Sequence, residues 1–238
     1  MTGLPVDESP EVSSTVAPRL AAVNLSAGYH QHPVIREIDL QVGPGEVVAL
    51  LGPNGAGKTT TLKALAGHLK ALAGEVRVDG TVTTSAPHVR ARRGMAYVTE
   101  ERSVFSQLTA VENLRVGRAD VQAATELFPE LRRLLRRKGG QLSGGEQQML
   151  TLGRALARRP SVLLADELSL GLAPIIVQRL LEAARVAARE DGIGVLIVEQ
   201  HVQQALRYAD RVYLLRRGAI VGSGPADEIG PALRDVYL

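Results

Sequence analysis

Cysteine is absent from this 238-residue chain. That excludes a disulfide framework and any thiolate metal site, a composition that suits the cytoplasm. Aromatic residues make up only 3% of the sequence, which argues against the stacking platforms of single-strand nucleic-acid binders. No apolar run approaches the roughly 18 residues needed to cross a bilayer. The amino-terminal "MTGLPVDESPEVSSTVAP" has no hydrophobic stretch of the signal-peptide kind; it is acidic and rich in Pro and Ser. Residues 1–18 are therefore expected to form a flexible tail, with the folded domain over 19–238.

What the chain does have is enough apolar residues for a sizeable core, 45% hydrophobic, with a net charge of only +3. "VVALLG", "SVLLAD" and "GVLIV" are continuous apolar runs, as strands buried on both faces of a parallel sheet are. Helical spacing follows each: Leu62, Leu65 and Leu69; then Val177, Leu180, Leu181 and Ala184; then Val202, Ala205 and Leu206. "VIREIDLQV" alternates toward its end, "GEVRVDGTV" reads as a hairpin turning at Asp79-Gly80, and "RVYLLRRGAIVGSG" as one turning at Gly218. The expected fold is an α/β sheet with an antiparallel portion on its amino-terminal side. Between about 103 and 158 helical signals replace strands, so a helical subdomain is expected there. Within it Leu127 and, in the basic run "LRRLLRRK", Leu131, Leu134 and Leu135 give one helical stripe, leaving the arginines on a solvated face.

Three stretches carry phosphate chemistry. "GPNGAGKTT", comprising Gly52, Pro53, Asn54, Gly55, Ala56, Gly57, Lys58, Thr59 and Thr60, follows the run "VVALL" directly. Its glycines let successive backbone N–H groups curl around phosphate oxygens at the start of a helix. Lys58 would reach the β- and γ-phosphates, and the Thr59 hydroxyl would bind Mg²⁺. A Gly-rich turn that merely contains a lysine would need no strand before it and no helix after it. "SVLLADE" ends in Asp166 and Glu167, at the strand end where parallel sheets bind ligands. Asp166 suits Mg²⁺, and Glu167 suits orienting and deprotonating an attacking water. In "LSGGEQQ", Ser143 and Glu146 have capping-box spacing, and the flanking Gly144 and Gly145 leave the helix start open to an anion.

Taken in order, "GPNGAGKTT", "LSGGEQQ", "VLLADE" and "SLGL" resemble the nucleotide-binding subunits of ABC transporters, from about Arg19 to Leu238. That resemblance implies a P-loop ATPase core, mostly parallel sheet with helices, plus an antiparallel β portion and an inserted helical subdomain. "YVTEERSVF" and "VEQHVQQAL" look most like an ATPase subunit of branched-chain amino-acid importers, though relatives serving urea or short amides look similar. The implied ligands are ATP and Mg²⁺. The implied partners are a second ABC ATPase subunit, membrane permease subunits and, indirectly, a solute-binding protein, with the chain peripheral on the inner face of the cell membrane and no nucleic acid bound.

By the same resemblance Tyr29 stacks under the adenine, where the residue pattern alone also allows a partly buried strand-edge tyrosine. Ser143 and Gly145 touch the γ-phosphate held by a partner cassette, and Ser169–Leu172 crosses the dimer interface. Glu100 stands where most ABC proteins have a Mg²⁺-linking glutamine; a carboxylate remains a good oxygen ligand. Leu168 replaces the proline that usually follows the catalytic Glu, which is expected to loosen the backbone after Glu167. The stretch between Gly117 and Leu127 is short for the family.

The pair Gln200-His201 poses a choice. In most ABC proteins a switch histidine occupies the position of Gln200, and His201 falls one residue late, turned to another face. Gln200 is thus the expected γ-phosphate contact, as in related importer subunits. A different class, ABC-type ATPases acting on nucleic acid, carries long coiled-coil or zinc-bearing insertions or two cassettes per chain. Here Gly57 and Ser143 are separated by one compact segment without cysteine.

Overall fold

The computed structural model describes residues 17–200 and 202–229. The expected tail therefore lies outside the described residues except for its last two positions, and so does His201.

The three apolar runs, Val47–Leu51, Val162–Asp166 and Gly194–Glu199, are strands of one six-stranded sheet. In chain order the strands are β1 (Leu20–Tyr29), β2 (His32–Val42), β3 (Val47–Leu51), β4 (Ala71–Val78), β5 (Thr81–Val82), β6 (Met95–Val98), β7 (Val162–Asp166), β8 (Gly194–Glu199), β9 (Arg211–Arg216) and β10 (Ala219–Pro225). The larger sheet has the order β10-β9-β3-β8-β7-β6; it is parallel except for its β10 edge. A second, antiparallel sheet has the order β2-β1-β4-β5. The β4–β5 turn is Asp79-Gly80, both at positive φ, and the β9–β10 turn is Arg217-Gly218 with the same property.

Period-two geometry divides the core. Val47, Ala49 and Leu51 of β3 and Val195 and Ile197 of β8 face one apolar cluster, while Val48, Leu50, Leu196 and Val198 face the other. The second cluster lies between the two sheets. It also takes Ile35, Ile38, Leu40 and Val42 of β2, all fully buried, which accounts for their alternation.

The helices are α1 (Lys58–Leu65), α2 (Pro87–Arg92), α3 (Ala110–Val116), α4 (Val121–Leu127), α5 (Gly144–Leu156), α6 (Pro174–Asp191) and α7 (Val202–Tyr208). Three of them, α3 to α5, fall between β6 and β7, where the described residues form only an isolated bridge from Thr109 to Lys138. Two expectations need correction. Helix α1 stops at Leu65, so Leu69 reaches the core from the turn beyond it. The basic run is not an α-helix: its first half belongs to a 3₁₀ turn over Pro129–Leu134, and the rest is irregular. Pro129 begins the turn, and Leu131 and Leu134 are buried at its tighter i, i+3 spacing. The arginines at 132, 133, 136 and 137 are exposed, as the stripe implied.

Candidate functional site

The phosphate loop, the Asp-Glu pair and Gln200 follow β3, β7 and β8, three parallel strands lying side by side in the order β3-β8-β7. Their carboxyl ends open on one side of the sheet, where α/β proteins bind ligands. A cavity of about 370 Å³ there is lined by Asn54, Gly55, Gly57, Lys58, Thr59, Thr60, Glu100, Glu167 and Gln200, with Val34 at its wall. Most of the residues singled out in the sequence thus converge.

The loop needs glycine at two of its positions. Gly57, which caps α1, has φ 110°, a conformation side chains avoid. A Cβ on Gly52 would stand 2.2 Å from the Leu215 carbonyl oxygen. Lys58 is only 5% exposed, and its ammonium donates to the Gly52 carbonyl at 2.9 Å and the Pro53 carbonyl at 3.2 Å. Burial lowers its pKa, against the pull of Glu167, Asp166 and Glu199 in the other direction. Its ammonium stands 4.0 Å from Glu167 Oε1. It is a positive charge held in the cavity by carbonyls that a phosphate can replace.

Asp166 ends β7 and is buried. It accepts from the Thr59 hydroxyl at 3.3 Å and from the Tyr97 hydroxyl at 3.4 Å. Burial raises its pKa, and the two hydrogen bonds oppose that shift. Among the described residues no three His, Cys, Asp or Glu cluster as a metal site by themselves. Thr59 and Glu100 line the cavity, and Asp166, which does not line it, reaches it through the Thr59 hydroxyl; all three offer oxygen atoms. Mg²⁺ takes such a set when phosphates and water complete its shell.

Glu167 lies just past the strand, with φ 46°, a left-handed conformation that costs a non-glycine residue free energy and tends to occur at functional sites. Its backbone N–H donates to the Val198 carbonyl at 2.9 Å, and its carboxylate accepts from the Gln200 side-chain amide at 2.7 Å. Leu168, the residue in place of the proline, is 1% exposed within the core.

Tyr29 and the residues Ser143, Gly144, Gly145 and Glu146 are not among those lining the phosphate cavity. Tyr29 ends β1 with 43% of its surface exposed. Ser143 caps α5: its hydroxyl accepts from the Glu146 N–H, and the Glu146 carboxylate accepts from the Ser143 N–H at 2.8 Å. A Cβ on Gly144 would meet Arg102 and one on Gly145 would meet Ile176, so this helix start lies elsewhere in the chain.

Two residues escaped the sequence reading. Tyr97 on β6 steadies Asp166, a contact between distant strands that no local spacing announces. Glu199 is fully buried and accepts two hydrogen bonds from Ser169. Burial pushes its carboxyl up to about 7, against the Ser169 bonds. Its signal was present: a carboxylate that extends an apolar buried strand by one residue.

A strand, a phosphate loop and a helix, with an acidic strand end two strands along the same parallel sheet, define a P-loop nucleoside triphosphatase. The ABC transporter family profile matches residues 35–169. The high-affinity branched-chain amino acid transport ATP-binding protein BraG of Pseudomonas aeruginosa is 42% identical over 226 residues, 90% of this chain and 97% of that protein. The lipopolysaccharide export system ATP-binding protein LptB of Escherichia coli (strain K12) is 37% identical over 236 residues, 92% of this chain and 96% of that protein. Among solved structures, the ADP conformation of an ABC transporter ATP-binding cassette superposes with TM-score 0.82 at 26% identity, covering 92% and 95% of the two chains. A dimeric cassette in a post-hydrolysis state with ADP and phosphate gives TM-score 0.76 at 26% identity, covering 87% and 98%. The chain belongs to the ABC transporter family, as an ATP-binding subunit that hydrolyses ATP.

Proposed function

We propose that this subunit energises an importer for branched-chain amino acids from the inner face of the cell membrane. The observation that carries the reading is the 42% identity to BraG over nearly the whole chain. A second reading, export of a lipid-linked saccharide, is supported by similarity to LptB at 37% over an equal span.

The cavity supplies the chemistry either cargo would need. Backbone N–H groups from Gly52 to Thr60 and the Lys58 ammonium would hold the β- and γ-phosphates of ATP. Thr59, Asp166 and Glu100 would hold Mg²⁺, which neutralises charge on the transferring phosphoryl group when bound. Glu167 would orient the attacking water and take its proton. Gln200 fixes the Glu167 carboxylate at 2.7 Å and also lines the cavity, where its amide would reach the γ-phosphate. Tyr29 would stack on adenine with its exposed ring.

Ser143 to Glu146 lie off this cavity, which suits action across an interface with a second cassette. A groove of about 510 Å³ lies between β6, α2 and the carboxyl end of α5. It is lined by Tyr97, Thr99 and Ser103 just beside Glu100, and by Arg154. A loop of a permease would fit there and feel any movement of Glu100. The solute-binding protein would act on the permeases alone.

The test is reconstitution with its cognate membrane subunits in vesicles. ATP-dependent uptake of leucine, isoleucine or valine is expected. ATP turnover without such uptake, but with transport of urea, a short amide or lipopolysaccharide, would overturn the cargo and leave the ATPase intact.

A further inference from the structure

Glu199 is an ionisable side chain with no exposed surface, and it lies outside the phosphate cavity. A carboxylate in that position costs several kcal/mol unless its oxygens are matched. Both of them are occupied by one residue: Oε1 accepts from the Ser169 backbone N–H at 3.2 Å and Oε2 from the Ser169 hydroxyl at 2.5 Å. Ser169 is itself 7% exposed, while the next residues project outward. Leu170 is 47% exposed, and a Cβ on Gly171 would meet nothing within 4 Å.

The neighbouring contacts fall in register with this one. Val198 accepts the Glu167 N–H, Glu199 holds Ser169, and Gln200 holds the Glu167 carboxylate. Three consecutive residues at the end of β8 therefore grip the segment that begins with the base and continues to the exposed Leu170-Gly171 tip. Leu168 fills the core between those grips.

We propose that Glu199 is a positioning residue: by clamping Ser169 it makes the projecting segment 169–172, the base Glu167 and Gln200 one rigid unit, so that pressure on the tip from a second cassette is transmitted to the base. This rests on the reading of Glu167 and Gln200 given above. A loop free to shift by an ångström would lose catalytic alignment without losing nucleotide, because the phosphate-binding loop belongs to β3 and α1 and not to this unit.

The test compares Glu199→Leu, Glu199→Gln and Ser169→Ala in the full chain assembled with its partner subunits, measuring steady-state ATP hydrolysis, ATP affinity and thermal unfolding. Glu199→Leu removes both acceptors at similar size. Its kcat is expected to fall about 10–100-fold, the penalty of a misplaced catalytic group. Its ATP affinity should stay within about threefold, because ground-state binding is untouched. Glu199→Gln keeps an acceptor for the N–H and offers an amide to the hydroxyl, so it should recover most of the lost kcat. Ser169→Ala breaks only the hydroxyl contact and should fall between the two. It carries the test if Glu199→Leu does not fold. A wild-type kcat in Ser169→Ala and Glu199→Leu would overturn the proposal, as would a parallel loss of kcat and ATP affinity. If Glu167→Gln, measured alongside, kept normal turnover, the assignment of the base would be at fault instead.

Discussion

At the scale of single residues the site turns on which side chain touches which. The 2.7 Å contact from Gln200 to Glu167 gives Gln200 two expected effects, since its amide holds the base and lines the phosphate cavity. Loss of one preorganised donor costs about 10²–10³-fold in rate, and a neutral amide belongs at the lower end, so Gln200→Ala should reduce turnover about 10²-fold. Glu167→Gln removes the proposed base and should cost about 10²–10⁴-fold while ATP binding persists. Steady-state rates beside equilibrium nucleotide binding check both; normal hydrolysis by Glu167→Gln would mean that another group takes the proton. Glu199 adds a pH dependence. Its folded pKa, about 7, lies above the usual value of 4.5, so the folded state favours the neutral acid. The associated stability is present below pH 4.5 and is lost as pH rises through 7. Glu167, which raises this pKa, and Lys58 are the charged groups coupled to it. Glu199→Gln cannot ionise, so its stability advantage over wild type should widen between pH 5 and 8 in denaturation experiments. An advantage that narrowed over that range would mean the buried carboxylate is already paired as an anion.

Among the elements, α1 depends on a residue far along the chain. Its last turn leaves carbonyls without intrahelical partners. The Arg90 guanidinium on α2 fills that role, donating to the carbonyls of Ala64 at 3.3 Å and of Leu65, and also to Ser85 at 2.8 Å and Thr83 at 3.1 Å. A cation at a helix carboxyl end also complements its dipole. Ala64 also accepts from the Gly67 N–H, so Arg90→Met would leave chiefly the buried Leu65 carbonyl unsatisfied. With the lost Thr83 and Ser85 contacts it should destabilise the fold by on the order of 2–4 kcal/mol. Arg90→Lys should rescue little, because a point charge does not span a planar fork's four acceptors. Chemical denaturation measures this, and an Arg90→Met protein as stable as wild type would show that water replaces the guanidinium. Nothing in "PHVRAR" announces that role. What was legible was local: three apolar runs made three buried strands, Ser143 and Glu146 made a capping box, and the Gly-Lys-Thr loop joined a strand to a helix. What was not legible required distant partners. Tyr97 meets Asp166 and Glu199 meets Ser169 only once the strand order is fixed. The 3₁₀ turn at Pro129 has the same leucines as an α-helix, and the sequence spacing i, i+3 serves both.

The whole molecule leaves its own signature segment unused. Lys58, Thr59, Glu100, Glu167 and Gln200 share one cavity, while the capped start of α5 at Ser143 faces elsewhere. If that helix start serves a nucleotide, the nucleotide belongs to another cassette, and each site is built from two chains. Two inactive variants should then complement each other. Lys58→Ala removes the buried cation from the phosphate loop but keeps a sound α5. Ser143→Asp keeps a good helix cap, since Asp serves as well as Ser there. It nevertheless sets a carboxylate against any incoming phosphate. Each variant alone should hydrolyse ATP at a small fraction of the wild-type rate. In a mixture, a dimer of one chain of each kind holds one site with an intact Lys58 and an intact facing Ser143. Random pairing into symmetric two-chain assemblies would restore roughly a quarter of the wild-type sites. For the same reason the specific activity of the unmixed wild-type chain should rise with its concentration. Thermal unfolding of both variants checks that each remains folded. A specific activity independent of concentration, with no gain on mixing, would mean that one chain completes a site alone and that Ser143 does no more than cap α5.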